Sequence, residues 1–178
     1  MPPADEARVS GSTRRTPPWL LALAAILLVA RVITGILEER HPPQVADLVR
    51  WRPVADAVAE ARQAKRPLLF DFTAAWCPPC RAMQREVFAD RASADQIEKL
   101  FVPVQVLDRE REEGRNAPEV TALQERFHVT SFPTLVVVSA DGAKPVVLAG
   151  YRGKTLTLQS LTQAWMQTSG KGPGFSFP

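Results

Sequence analysis

Pro67-Leu68-Leu69-Phe70-Asp71-Phe72, then Trp76-Cys77-Pro78-Pro79-Cys80, then Arg81-Ala82-Met83-Gln84-Arg85-Glu86-Val87-Phe88 is the stretch that decides how this chain folds. Its apolar first part reads as a buried strand and its third part as a helix, so the cysteines fall where a strand turns into a helix. They are the only two cysteines in the chain, and they stand at redox-motif spacing. Unpaired N–H groups and the positive end of the helix dipole favour thiolate there, lowering a cysteine pKa from roughly 8.5 into a range of about 3.5 to 7.5. Cys77 is therefore the candidate nucleophile. Cys80, one helical turn on, faces the same side and is the candidate resolving thiol, attacking a mixed disulfide at Cys77 and releasing the reduced substrate.

Other roles for the pair fit the sequence less well. A structural disulfide closing so short a loop removes little entropy from the unfolded chain. A structural zinc needs about four ligands, and the remaining soft candidates, His41 and His128, stand at no ligand spacing from the cysteines. Covalent haem attachment requires histidine after the second cysteine, where this chain has Arg81. No metal and no organic cofactor is implied.

Leu68 to Thr73, the Trp76-Cys77-Pro78-Pro79-Cys80 motif and Thr130-Ser131-Phe132-Pro133-Thr134-Leu135 together resemble the thioredoxin superfamily. Within it, Leu69-Phe70-Asp71-Phe72-Thr73-Ala74-Ala75-Trp76-Cys77 and Val87-Phe88-Ala89-Asp90 look most like the periplasmic thioredoxin-like domain of the transmembrane reductase DsbD and its single-domain relatives. The resemblance covers about residues 48–168. It implies an α/β thioredoxin fold, a central mixed sheet flanked by helices. It also implies a cis proline beside the dithiol, matched by Pro133, at the one kind of peptide bond where cis is inexpensive. A buried acid beneath the cysteines is matched by Asp71; burial would raise its pKa and suit it to take the proton of Cys80. Trp76, Pro78, Pro79, Phe132 and Pro133 are the expected substrate-binding residues, with a substrate segment pairing like a strand beside Pro133.

Two features depart from the family pattern. Many thioredoxins have glycine before the motif proline; Pro78 stiffens the turn and removes a backbone donor near the Cys77 sulfur. The segment Asp108-Arg109-Glu110-Arg111-Glu112-Glu113-Gly114-Arg115-Asn116 is longer and more charged than the corresponding loop of a minimal thioredoxin. It reads as a solvated extension, with a partner-docking surface as the alternative.

At 178 residues and 46% hydrophobic composition the chain fits one domain with appendages. Its net charge is +3, yet residues 1–37 carry four Arg against two acids, leaving 18 basic and 17 acidic residues in the remainder. The nearly neutral folded part offers no clustered positive face for nucleic acid. Trp19 to Ala30 is uninterrupted hydrocarbon, and apolar character resumes after Arg31 as Val32-Ile33-Thr34-Gly35-Ile36-Leu37. Residues 19–37 are thus expected to be a transmembrane anchor, with a cleaved signal peptide as the alternative. Arg8, Arg14 and Arg15 precede this run, whereas Glu38, Glu39, Arg40 and His41 follow it, which keeps the N-terminus cytoplasmic. The expected plan is a disordered cytoplasmic tail over 1–18, the anchor over 19–37, a linker over 38–47, the thioredoxin-like domain over 48–168 and a flexible tail over 169–178.

Within the domain, Leu48-Val49-Arg50-Trp51 reads as a short first strand, followed by a helix with Val54, Ala57, Val58 and Ala61 on one face. Asp90 or Ser93 is expected to cap a helix ending near Leu100, and Phe101 to Leu107 to form a strand in which Pro103 disfavours ladder pairing. Pro118 to His128 reads as a helix, Thr134 to Ser139 and Val146 to Leu148 as a hairpin, and Leu156, Leu158, Leu161, Trp165 and Met166 suggest a terminal helix. The functional expectation is a membrane-tethered periplasmic thiol-disulfide oxidoreductase of the bacterial inner membrane. Its substrates would be protein cysteines, and its direction reductive, fed by a membrane electron donor. An oxidase or isomerase, or a non-enzymatic thiol-binding docking module in cytochrome assembly, are the rival readings.

Overall fold

The computed structural model describes residues 17–40, 47–142 and 145–169, with the side chains of 35–40 excepted. Most of the expected tail over 1–18, most of the linker over 38–47, and the tail over 169–178 apart from Ser169 lie outside these residues. The chain divides into two compact units, Met1–Gln44 and Val45–Pro178.

In the first unit, α1 spans Pro18–Arg40. Its side chains from Trp19 to Thr34 are exposed, although a helix with no polar face calls for an apolar environment. The expected helix is present, but the expected crossing is not established: among the described residues no helix is long and apolar enough to cross a membrane.

The second unit is a four-stranded sheet in the order β2-β1-β3-β4. The strands are β1 (Leu68–Ala74), β2 (Val102–Asp108), β3 (Thr134–Val138) and β4 (Val146–Ala149). β1 runs parallel to β2 and antiparallel to β3, and β3 antiparallel to β4, giving the central mixed sheet flanked by helices that the resemblance implied. Alternation along β1 builds two cores, one on each face. Leu68, Phe70 and Phe72 pack with Ala57 and Ala61 of α2 (Val54–Ala64) and with Leu123 and Phe127 of α6 (Pro118–Phe127). Leu69 packs on the other face with Met83 of α3 (Pro78–Met83), Ile97 of α4 (Arg91–Leu100) and Leu161 of α7 (Lys154–Thr168).

Several expectations are corrected here. Leu48 to Trp51 is not a strand. Its backbone donors go elsewhere, that of Leu48 to the Phe88 carbonyl and that of Arg50 to the Glu98 carboxylate. Only Arg52 reaches the edge of β2, donating to the Pro103 carbonyl at 3.0 Å, and Pro103 has no N–H with which to extend a ladder. The dithiol helix does run to Phe88, but its last turn, Gln84–Phe88, is a π-helical segment in which Ala89 N–H donates to the Gln84 carbonyl. Asp90, not Ser93, caps α4, accepting the Ser93 N–H at 2.9 Å. The charged insertion contains a short helix, α5 (Glu110–Glu113). In α7 the fully buried stripe is Thr157, Leu161 and Ala164; Leu158 and Trp165 pack beside it, while Leu156 and Met166 point outward.

Candidate active site

β1 ends at Ala74, a two-residue turn of Ala75 and Trp76 follows, and Cys77 is the N-cap of α3. Proline at the first helical positions suits this start, because those N–H groups have no partner within the helix. Cys77 and Cys80 form a disulfide with an S–S distance of 2.08 Å and Cα atoms 5.3 Å apart. The Cys80 N–H points at the Cys77 sulfur, 3.3 Å away, placing a backbone donor where a thiolate would need one. Both cysteines are buried, at 2% and 4% exposure, and pack in one small cluster with Ala74 and Phe132.

Pro78 and Pro79 are exposed beside them, whereas Pro133 is buried. The Phe132–Pro133 peptide is cis. Trp76 remains 39% exposed and meets the Phe132 ring edge-on, 6.0 Å between centroids. These two rings open onto a cavity of about 350 Å³ that also touches Arg111, Gln124 and Thr130. The structure thus gathers Trp76, Cys77, Cys80 and Phe132, with Pro133 continuing the loop from Phe132.

Asp71 lies deep in β1 at 1% exposure, opposite Gln105 of β2 and Leu135 of β3. It is two residues from Leu69 and so faces the α3 side of the sheet. Burial drives its pKa up from an ordinary 3.8 to about 7; a hydrogen bond from Gln105 works against this, and the charge of Asp47 works with it. One of its oxygens, Oδ1, is buried without a hydrogen-bond partner, so ionising this group is costly.

Residue patterns did not single out Arg111 or Arg81. The Arg111 guanidinium lies over the Trp76 ring, 5.1 Å from its centroid, and Arg81 Nη1 donates to the Ala75 carbonyl at 3.0 Å. The charge density of the 108–116 segment was the available signal, but side-chain direction is fixed only by the fold. Among the described residues no cluster of three or more His, Cys, Asp or Glu could hold a metal ion.

A family model for a thioredoxin-like domain matches residues 54–165. Thioredoxin H3 of Arabidopsis thaliana is 32% identical over 88 residues, covering 49% of this chain and 64% of that protein. The thiol:disulfide interchange protein DsbD of Yersinia pestis is 29% identical over 129 residues, covering 69% of this chain and 20% of its own length. The chain therefore spans less than two thirds of either relative. A thioredoxin structure from Thermus thermophilus matches with a TM-score of 0.59 at 28% identity, over 73% of this chain and 97% of that one. With the mixed sheet, the N-capping Cys77 and the Cys77–Cys80 bond in place, the chain belongs to the thioredoxin-like family and carries a CxxC pair homologous to those of thiol-disulfide oxidoreductases.

Proposed function

We propose that this protein is a membrane-tethered thiol-disulfide oxidoreductase that reduces protein disulfides in the periplasm. The observation that carries the reading is the Cys77–Cys80 bond at a helix start, beside the exposed Trp76 ring. In the reduced protein, the Cys77 thiolate attacks one sulfur of a client disulfide. The client S–S bond breaks, a mixed disulfide forms at Cys77, and the departing client sulfur takes up a proton. Asp71 accepts the Cys80 proton, and the Cys80 sulfur then attacks Cys77. This re-forms the Cys77–Cys80 bond and releases the second client thiol. Two electrons pass to the client, so a dithiol donor held in the membrane must restore the pair, because the periplasm is kept oxidising.

The tether rests on the helical Trp19 to Ala30 run of α1, apolar and exposed, on the length of the 19–37 segment, and on the excess of arginine before it. The reductive direction rests on the resemblance to the DsbD domain. The client segment lies on Trp76, Pro78, Pro79 and Phe132, and the buried Pro133 shapes the loop behind them.

Equilibrating the full chain in detergent micelles against glutathione buffers and counting free thiols tests the direction. A potential near or below about −270 mV is expected; one near about −120 mV would make the protein an oxidase. Failure to form the disulfide would favour a docking module. Alkaline phosphatase fused after Pro178 should be active, and an inactive fusion would overturn the orientation.

A further inference from the structure

The charged insertion is built as a fixed wall of the dithiol groove. Asp108, only 6% exposed, accepts from Asn116 Nδ2 at 2.6 Å, from Gln124 Nε2 at 2.8 Å and from the Glu110 N–H at 3.3 Å. The Arg109 N–H returns to Asn116 Oδ1 at 2.7 Å. Both ends of α5 are thus tied to one buried carboxylate and to α6, which fixes where the residue between them, Arg111, can reach. Its guanidinium comes to rest on Trp76, the residue before Cys77.

Arg81, the residue after Cys80, is held to the carbonyl of Ala75 in the same turn. Neither guanidinium takes part in the ion pairs formed among the described residues. Of the two acids that line the cavity, Asp108 has both oxygens occupied by the network and Glu110 is exposed; among the other acids of α5, Glu113 pairs with Arg109 and the exposed Glu112 lies outside the lining. A guanidinium held over an aromatic face keeps its N–H donors in its own plane, directed outward from the ring, where they can grip a carboxylate in a forked pair.

We propose that Arg111, seconded by Arg81, makes this groove a receptor for acidic client segments, selecting proteins that carry Asp or Glu beside the reactive cysteine. The inference rests on the oxidoreductase reading and adds to it the chemistry of the client. Aromatic stacking on Trp76 and Phe132 supplies contact that any client can use; the arginines supply discrimination.

The test uses the reduced full chain in detergent micelles and two disulfide-linked peptides that differ only in having Asp or Lys beside the cysteine. Wild-type protein should reduce the acidic peptide about threefold to fivefold faster, the range open to a rim ion pair, and salt should shrink the ratio. Arg111→Gln should bring the ratio close to one, and Arg111→Glu should invert it. Equal rates with wild-type protein overturn the inference and leave the oxidoreductase reading standing. A preference that survives Arg111→Glu and the Arg81→Gln/Arg111→Gln double substitution also overturns it. If neither peptide is reduced, the oxidoreductase reading falls and the inference with it.

Discussion

The backbone N–H of Gly150 donates to the carbonyl of Pro133 at 2.8 Å, so the residue after β4 holds the loop that edges the dithiol. Gly150 sits at φ +78°, and a Cβ built there would meet nothing within 4 Å. The position is closed to other residues by backbone conformation and not by crowding. Gly150→Ala is expected to cost about 1 to 2 kcal/mol in urea unfolding and to slow disulfide exchange. Gly150→Asn, which tolerates positive φ better, should cost less. An exchange rate in Gly150→Ala equal to wild type would show that this bond does not position the Pro133 loop.

Asp71 gives the protein a defined pH dependence. Its carboxyl is raised by burial from an ordinary 3.8 to about 7 in the folded state, so the folded protein holds a proton that the unfolded chain releases first. The sign follows: the stability that Asp71 contributes is complete below about pH 4 and is lost as pH rises towards 7, after which the loss is constant. Its size is on the order of 4 kcal/mol at most. Asp71→Asn, neutral at every pH, should therefore gain on wild type across that window while slowing the step in which Cys80 must lose its proton. Denaturation midpoints for both proteins from pH 4 to 8 check this; parallel curves would remove Asp71 as the titrating group.

How much of this was legible in the sequence depends on whether the determinant is local. The Cys77 turn, the β1 run and the hairpin after Thr134 are set by adjacent residues, and each was readable. The missing first strand was not, because it turns on Glu98 capturing the Arg50 N–H across 48 positions and on Pro103 offering no donor in return. The π-helical turn over Gln84–Phe88 was hidden similarly: no proline or glycine marks it, and the Leu48 N–H that binds its Phe88 carbonyl comes from a distant segment. In α7, Leu156 and Thr157 are neighbours, and the more polar of the two is the buried one. Thr157 can be buried because its hydroxyl bonds the Gly153 carbonyl at 3.0 Å, which removes the polar cost that composition alone would charge.

The two cysteines should separate in function. Cys77→Ser is expected to abolish exchange with client disulfides, since only the buried resolving thiol Cys80 remains. Cys80→Ser should still attack but fail to resolve, accumulating a mixed disulfide that mass spectrometry detects as an adduct removable by dithiothreitol. If Cys80→Ser retained full turnover, single-thiol capture would replace the two-cysteine cycle.

The network around Asp108 predicts that α5 is a rigid part of the groove. Asp108→Ala leaves the Asn116 and Gln124 amides without their shared acceptor, a loss worth about 1 to 3 kcal/mol for a buried group. Both ends of the insertion come loose together, since Asn116 also receives the Arg109 N–H. Trypsin should then cut after Arg109, Arg111 or Arg115 markedly faster than in wild type, because local opening becomes less costly. Asp108→Asn, which keeps one acceptor oxygen, should fall between the two. The Arg111 guanidinium would lose its fixed place over Trp76, so the charge preference for acidic peptides should weaken in Asp108→Ala although Arg111 itself is intact. Unchanged proteolysis with unchanged peptide selectivity would mean that the stacking on Trp76 alone holds α5 in position.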